Sequence, residues 1–239
     1  MDHFLTLERL IVKNNSKVES IIYLNEINEQ QMNLALKNIN LDVLPMMTCL
    51  FVGPKFFFSL QNLTRVKIMR CEKLKIVFST SIIRCLPQLF TMKIEDCKEL
   101  THIIEDDLKD TTKTCFPKLN TLVIVKCNKL KYVFPMSICK ELPELKVLMI
   151  REANELEEIF VSEGYDQKVK IPNLECVVFE NLPSLYHDQG IQFQAVKYCF
   201  ILNCPKLSLV SASTADFEYD ISGLYGGKFG NGTHSIQYF

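Results

Sequence analysis

Cysteines and histidines are the residues of this chain that could most readily bind a metal or take part in catalysis. Neither type is spaced as an active site or a metal site requires. No Cys-x-x-Cys pair occurs among the ten cysteines, and the gaps from Cys71 to Cys97 and from Cys97 to Cys127 are 26 and 30 residues. Tetrahedral zinc sites use short ligand pairs instead. Nucleophilic catalysis needs a base beside the nucleophile, and none of the four histidines stands in a motif with serine or cysteine. We therefore expect no catalytic residue, no metal site and no enzymatic activity.

Only one stretch of the sequence, a glycine-rich segment near the end of the chain, partly matches a nucleotide-binding motif. Ser222–Phe229 reads SGLYGGKF. In a phosphate-binding loop the first position is glycine, and the residue after the lysine is a serine or threonine that meets magnesium. Here Ser222 and Phe229 occupy those two positions. We expect no cofactor, and we interpret residues 211–239 as an atypical, flexible C-terminal tail.

Bulk composition argues against nucleic-acid and membrane partners. The formal net charge is −1, so no overall positive field would attract nucleic acid. The most apolar stretch, Val43–Leu60, is interrupted by Pro45, Pro54 and Lys55, and we expect no membrane span. The N-terminus lacks the apolar core of a secretory signal. Free cysteines fit a reducing compartment, so we expect a cytoplasmic or nuclear location.

The strongest pattern in the sequence is an internal repeat. The template Leu-x-x-Leu-x-Leu-x-x-(Asn/Cys)-x-x-Leu fits eight times over residues 1–210. Successive copies are separated by 29, 27, 26, 30, 26, 29 and 22 residues, close to the leucine-rich-repeat period of about 20 to 29 residues. The sixth template position falls on Val12, Leu41, Ile68, Ile94, Ile124, Ile150, Phe179 and Ile201.

These repeats predict an α/β solenoid of about eight leucine-rich repeats. The alternation around the fourth and sixth positions is that of a short strand, and the strands should pair in parallel on the concave face, because one repeat cannot bury its apolar side alone. Short helices or irregular segments should return the chain over the convex face. The segments 79–87 and 135–143 look like helical turns that end before proline. Residues 25–31, 105–114 and 162–170 should be loops.

The ninth template position explains four of the cysteines structurally. It holds Asn15, Leu44, Cys71, Cys97, Cys127, Ala153, Leu182 and Cys204. A small side chain there can bond the backbone where the chain leaves the strand, and cysteine does so weakly while packing as a small apolar residue.

Residues between the template leucines should point away from the core and form the candidate binding surface. The early strands carry a basic cluster that Glu95 and Asp96 partly neutralise, and the later strands carry an exposed apolar row. Exposed apolar patches often mark interfaces, although β-branched residues also favour strands and a return loop could cover them. The candidate partner-binding residues are Arg65, Lys67, Arg70, Lys93, Val123, Val125, Met149, Val178 and Phe200.

Several motifs resemble those of a known family. Phe116–Pro135, together with Leu86-Pro87-Gln88-Leu89 and Leu142-Pro143-Glu144-Leu145, is similar to the C-terminal repeats of plant disease-resistance proteins, the intracellular nucleotide-binding leucine-rich-repeat receptors of the coiled-coil class. The resemblance covers roughly residues 4–210.

The resemblance implies a protein-interaction module that recognises pathogen effectors or guarded host proteins, or that restrains the receptor's own nucleotide-binding domain. The chain contains no phosphate-binding loop, nucleotide-binding core or coiled coil. It is therefore either part of a longer receptor or a truncated stand-alone repeat protein that acts as a structural or decoy scaffold.

Overall fold

A computed structural model of the chain describes residues 6–23, 32–52, 58–78, 86–104, 116–135, 142–161, 169–186, 191–193 and 196–207. Its main element is a parallel sheet of eight five-residue strands, one from each repeat and arranged in chain order. The strands are β1 (Arg9–Lys13), β4 (Asn38–Asp42), β7 (Arg65–Met69), β9 (Thr91–Glu95), β11 (Thr121–Val125), β13 (Val147–Arg151), β16 (Cys176–Glu180) and β18 (Tyr198–Leu202). The predicted solenoid is thereby confirmed.

The register of the sheet follows the template. Leu122 of β11 lies beside Leu148 of β13, and Ile124 lies beside Ile150. Because side chains alternate between the two faces of a strand, this register places the fourth and sixth template positions of all repeats on one face. Those residues form the main hydrophobic core, and in the inner repeats they are almost fully buried.

Each strand ends in a residue with left-handed backbone geometry. The eight residues sit at the eighth template position with φ between 50° and 57°, and they are Asn14, Val43, Arg70, Asp96, Lys126, Glu152, Asn181 and Asn203. In the first seven repeats this residue still donates its amide to the next strand, as Arg70 does to the Glu95 carbonyl at 2.8 Å. The left-handed residue therefore extends the ladder by one bond while turning the chain out of the sheet.

A tight turn follows, and the cysteines stabilise its entrance. In repeats two to eight the twelfth template position donates its amide to the carbonyl of the ninth, as Leu100 does to Cys97 at 3.2 Å. The thiols of Cys71, Cys97, Cys127 and Cys204 each donate to the carbonyl two residues earlier, over 3.4–3.6 Å. The structural interpretation of these four cysteines is confirmed.

The return segments contain short strands that the sequence did not predict. They pair in parallel as β2 (Ile22–Tyr23) with β5 (Phe51–Val52), β3 (Met32–Asn33) with β6 (Phe58–Ser59), β8 (Ile76–Phe78) with β10 (His102–Ile104), β12 (Tyr132–Pro135) with β14 (Glu158–Val161), and β15 (Val169–Ile171) with β17 (Ile191–Phe193).

Two predictions about the return segments need correction. Pro135 belongs to a strand instead of starting a helical turn, and residues 169–170 of the predicted loop also lie in a strand. The described part of the chain contains no helix. Residues 79–85 and 136–141 of the predicted helical turns, the loops at 25–31 and 105–114, and the tail 211–239 lie outside the described residues.

The end repeats are less buried than the middle ones because each lacks one neighbour. Leu10 and Val12 in the first repeat and Ile201 in the eighth are only partly buried. Cys199, at the fourth template position of the eighth repeat, is exposed. The expectation that every template residue points into a covered core is therefore wrong at this end strand, where no ninth described strand packs beside it.

Candidate protein-binding face

The concave face, meaning the face of the eight-stranded sheet opposite the main core, carries the third, fifth and seventh template positions of every repeat. The fifth position forms a row along the middle of this face, because strands lie about 4.8 Å apart. That row consists of Ile11, Asn40, Lys67, Lys93, Val123, Met149, Val178 and Phe200. Every candidate binding residue belongs to the concave face except Arg70, which lies at the turn just after β7.

The first half of the concave face carries basic side chains on β1 and β7, of which the sequence reasoning named only Arg65 and Lys67. Arg9, Lys13 and Arg65 are exposed and Lys67 is half-buried. Among the described residues, none of these four side chains has an acidic partner within ion-pair distance. Four cations on β1 and β7 therefore face outward without an ion-pair partner in the described part of the chain, which gives this region a local positive field.

Two other basic candidates are engaged within the domain. The Lys93 ammonium lies 3.2 Å from the Glu95 carboxylate on the same strand, as the sequence suggested for Glu95. The Arg70 guanidinium donates two hydrogen bonds to the buried Asp42, at 2.7 and 2.8 Å. Asp42 lies on the preceding strand β4, and sequence reasoning missed this pair because only the register brings the two repeats together. Arg70 therefore has a structural role that Arg65 and Lys67 lack.

The middle row also contains a buried polar atom. The Oδ1 atom of Asn40 is buried and accepts no hydrogen bond among the described residues. Its strand neighbours on this row are Ile11 and Lys67. A buried polar atom without a hydrogen bond costs free energy, so a donor supplied from outside the sheet would stabilise this position.

The second half of the concave face is apolar, but most of it is not exposed. Val123, Val125, Met149, Cys176 and Val178 form a second hydrophobic cluster, separate from the main core, which we call the concave cluster. Val147 and Tyr198 pack against it and are partly buried. The sequence reasoning missed Cys176 and Tyr198. They lie two residues before Val178 and Phe200 on the same strands, so the alternation of side chains places them on the same face.

Burial of the concave cluster corrects the expectation of an exposed apolar row. Val123, Val125, Met149 and Val178 are buried, whereas Phe200 retains 43% of its accessible surface. The four buried residues therefore do not form an open patch. Among the described residues of the middle row, the large apolar side chains that are exposed are Phe200 and Ile11, which lie at opposite ends of the row. Partner binding by these residues stays a prediction.

The titratable groups of the described region are arranged for structure. Burial raises the pKa of Cys127 to about 12, and the hydrogen bond with the Cys71 thiol, together with burial, raises the pKa of Cys97 well above its usual range. Both thiols are therefore protonated and weakly reactive near neutral pH. His102 contacts the Thr101 hydroxyl at 2.9 Å and the edge of the Tyr132 ring; the other three histidines lie outside the described residues.

The described ranges contain neither a cluster of metal ligands nor a membrane-spanning helix. Among those residues, no three His, Cys, Asp or Glu side chains converge as a metal ion would need. Nor does any helix there have the length and apolar character to cross a membrane.

Comparison with known families decides what kind of repeat this is. The family model described as plant disease resistance protein RPS2-like, leucine-rich repeats, matches residues 1–98 and again residues 98–217. The chain belongs to this family. The first match contains the four strands β1 to β9 of the main sheet and the second contains β11 to β18, so the basic and apolar halves of the concave face correspond to the two matches. No curated protein and no solved structure matches the chain.

Membership in the family establishes the general character of the domain. It is a leucine-rich-repeat solenoid of the plant disease-resistance type, and such solenoids present extended concave surfaces for protein binding.

Proposed function

We propose that this chain is the protein-interaction module of an intracellular plant immune receptor. Its concave face binds a protein: a pathogen effector, a host protein that effectors modify, or the receptor's own nucleotide-binding domain. Binding to the last of these would restrain the nucleotide switch, and binding to either of the others would report infection.

The observation that carries the proposal is the set of unpaired cations on the first half of the concave face. Arg9, Lys13, Arg65 and Lys67 lack an acidic partner among the described residues, whereas ion pairs join neighbouring repeats elsewhere, as between Lys98 and Glu72 at 2.7 Å. Outward-facing cations attract a surface of opposite charge and set its orientation. We therefore expect the bound surface of the partner to be acidic.

A charge-reversal experiment tests this. The full chain, carrying an epitope tag, is expressed in leaves, and captured proteins are quantified by mass spectrometry. In the test variant Arg65→Glu and Lys67→Glu are combined. Both side chains lie on β7 without a described ion pair, so their reversal should weaken capture of the partner on the order of ten-fold or more while leaving the fold intact.

The matched control reverses two charges away from the sheet. Lys73→Glu and Lys131→Glu make the same change in net charge at exposed positions, in the turn that follows β7 and shortly after the turn that follows β11. A partner that binds the concave face should be lost with the test variant, retained with the control, and released from the unmodified chain by added salt. Equal capture by the test and control variants would contradict the proposal.

A further inference from the structure

Nine side chains occupy the concave positions of the first three strands of the main sheet, and only one of them is acidic. They are Arg9, Ile11 and Lys13 of β1, Asn38, Asn40 and Asp42 of β4, and Arg65, Lys67 and Met69 of β7. Arg70, at the turn after β7, donates two hydrogen bonds of 2.7 and 2.8 Å to the Asp42 carboxylate. The one acid of this region is therefore already neutralised, and the four cations keep their charge.

Elsewhere on the concave face the domain supplies its own counter-charges. The concave positions of the other five described strands carry two cations. The Lys93 ammonium lies 3.2 Å from the Glu95 carboxylate, and Arg151 forms an ion pair with Glu180 on the neighbouring strand. The cations of β1 and β7 have no such partner in the described part of the chain. They are therefore available to an anion of another molecule.

Two of these four cations flank the same point of the sheet. Arg9 and Arg65 both lie beside Asn38 in the register, one on each side. Their strands are two spacings apart, about 10 Å, so each flexible side chain has to cover about half of that distance to meet the other above Asn38. Lys67 follows Arg65 on the same face of β7. Two guanidiniums and an ammonium can therefore surround one anion, and the Asn38 amide can donate to it as well.

A phosphoryl group matches this arrangement better than a carboxylate does. A carboxylate has two oxygens, and a single arginine is enough to bind both, as Arg70 does with Asp42. A phosphorylated side chain has three acceptor oxygens and a charge of about −1.5 to −2 near neutral pH. It can therefore accept charge-assisted hydrogen bonds from Arg9, Arg65 and Lys67 together.

The neighbouring side chains favour a protein as the carrier of the phosphate. Proteins that bind single-stranded nucleic acid stack the bases on aromatic side chains, and none of the nine concave side chains of β1, β4 and β7 is aromatic. Ile11, which lies between Arg9 and Lys13 on β1, instead presents an aliphatic side chain that is 61% exposed. A peptide can place an apolar side chain on Ile11 beside its phosphate, whereas a free inositol phosphate has no apolar group to place there.

We propose that Arg9, Arg65 and Lys67 bind a phosphorylated serine or threonine in a segment of the partner protein, with an apolar residue of that segment on Ile11. The proposal rests on the proposed function, because it names the acidic group that the concave face recognises. Recognition then depends on the phosphorylation state of the partner.

Degenerate peptide libraries test the phosphate site without a known partner. In three otherwise identical libraries of short fluorescent peptides the central residue is phosphoserine, glutamate or serine, and the flanking positions are random. Binding of each library to the full chain is followed by fluorescence anisotropy. The phosphoserine library should bind on the order of ten-fold more tightly than the glutamate library, because phosphate brings more charge and a third oxygen. The serine library should show no measurable binding.

Substitutions of the flanking arginines assign the preference to this site. Combined Arg9→Gln and Arg65→Gln should lower the affinity for the phosphoserine library on the order of ten-fold, and the affinity for the glutamate library less. Lys67→Gln alone, a milder change, should lower the affinity for the phosphoserine library several-fold. The matched control, Lys73→Gln with Lys131→Gln, removes the same charge at exposed positions away from the sheet and should leave both affinities unchanged.

Three results would overturn the proposal. One is equal affinity for the phosphoserine and glutamate libraries, and another is a preference for phosphoserine that the arginine and lysine variants leave unchanged. The third is binding of inositol hexakisphosphate or a single-stranded oligonucleotide without binding of the phosphoserine library, since that would assign the cations to a free polyphosphate or to nucleic acid.

Failure of the phosphate site is distinguishable from failure of the proposed function. The charge-reversal capture is repeated with leaf extract that has been treated with a phosphatase, and the phosphate site predicts that the partner is then lost. If the treated extract still yields the partner and the charge-reversal variant does not capture it, the concave face binds a protein through carboxylates, and only the phosphate site is refuted.

Discussion

Val43 should be the most strained residue of the repeat array, and replacing it with asparagine should stabilise the protein. Its φ is 54°, in the left-handed region where a β-branched side chain is a true outlier. The equivalent residue is asparagine in three repeats, at 14, 181 and 203. Asparagine tolerates this geometry because its short polar side chain can hydrogen-bond locally.

The size of the effect follows from two opposing contributions. Left-handed geometry costs an ordinary residue about 1–2 kcal/mol, of which asparagine avoids a large part. The Val43 side chain is half-buried, so its loss costs about 1 kcal/mol of apolar burial. We therefore expect Val43→Asn to raise the free energy of unfolding by up to roughly 0.5 kcal/mol, or Tm by roughly 1–2 °C for a domain of this size.

Urea denaturation followed by circular dichroism measures the change, and two variants serve as controls. Val52→Asn makes the same chemical change at a half-buried residue in the short strand β5, where it should destabilise. Asn14→Val introduces valine at an equivalent left-handed position, with φ of 52°, and should destabilise by roughly 1 kcal/mol. If Val43→Asn destabilises the chain as much as Val52→Asn does, the strain argument is refuted.

Two further predictions concern Cys127 and Arg70. Burial raises the pKa of Cys127 from 9.0 to about 12, so between these two pH values the folded state keeps a proton that the unfolded state releases. The contribution of this thiol to stability is therefore complete below about pH 9 and is lost as the pH rises towards 12. When the free energy of unfolding in urea is measured against pH, Cys127→Ala should reduce its decrease above pH 9, by on the order of 1 kcal/mol at pH 10. If the free energies of the variant and the unmodified chain change with pH in parallel, the raised pKa of Cys127 is contradicted. Arg70→Met should cost about 1–2 kcal/mol because it leaves the buried Asp42 carboxylate without its donor, discounted because the guanidinium is half exposed. Arg65→Met, which removes a cation that has no ion pair among the described residues, should change the free energy of unfolding by no more than about 0.5 kcal/mol. An equal urea midpoint for the two variants would show that the ion pair of Arg70 with Asp42 adds no stability.

The main sheet could be predicted because two regular spacings of apolar residues in the sequence determine it. Apolar residues recur two positions apart within each repeat and about 22 to 30 residues apart between repeats. The first spacing fixes which face of a strand is buried, and the second fixes which residues become neighbours. Leu122 beside Leu148 follows from these two spacings alone, as does the role of Cys127 at the exit of its strand.

Predictions failed where the outcome depended on contacts between repeats or on what covers them. Cys199 fits the template as well as Leu122 does, yet it is exposed because it lies on the last described strand. The short strand Val169–Ile171 pairs with Ile191–Phe193, and its three residues give too brief a pattern to stand out beside a polar stretch. The ion pair of Arg70 with Asp42 joins residues 28 positions apart, and no local pattern marks it.

The concave face shows most clearly which properties the sequence determines and which depend on the tertiary structure. Sequence alone determined which residues point outward and that the row passes from basic to apolar, because alternation in a strand is a local steric rule. Tertiary structure decided that Met149 and its apolar neighbours are buried while Phe200 remains open. The exposure of a side chain depends on everything that packs above and beside it. The sequence pattern gives the face on which a side chain lies, but not the residues that cover it.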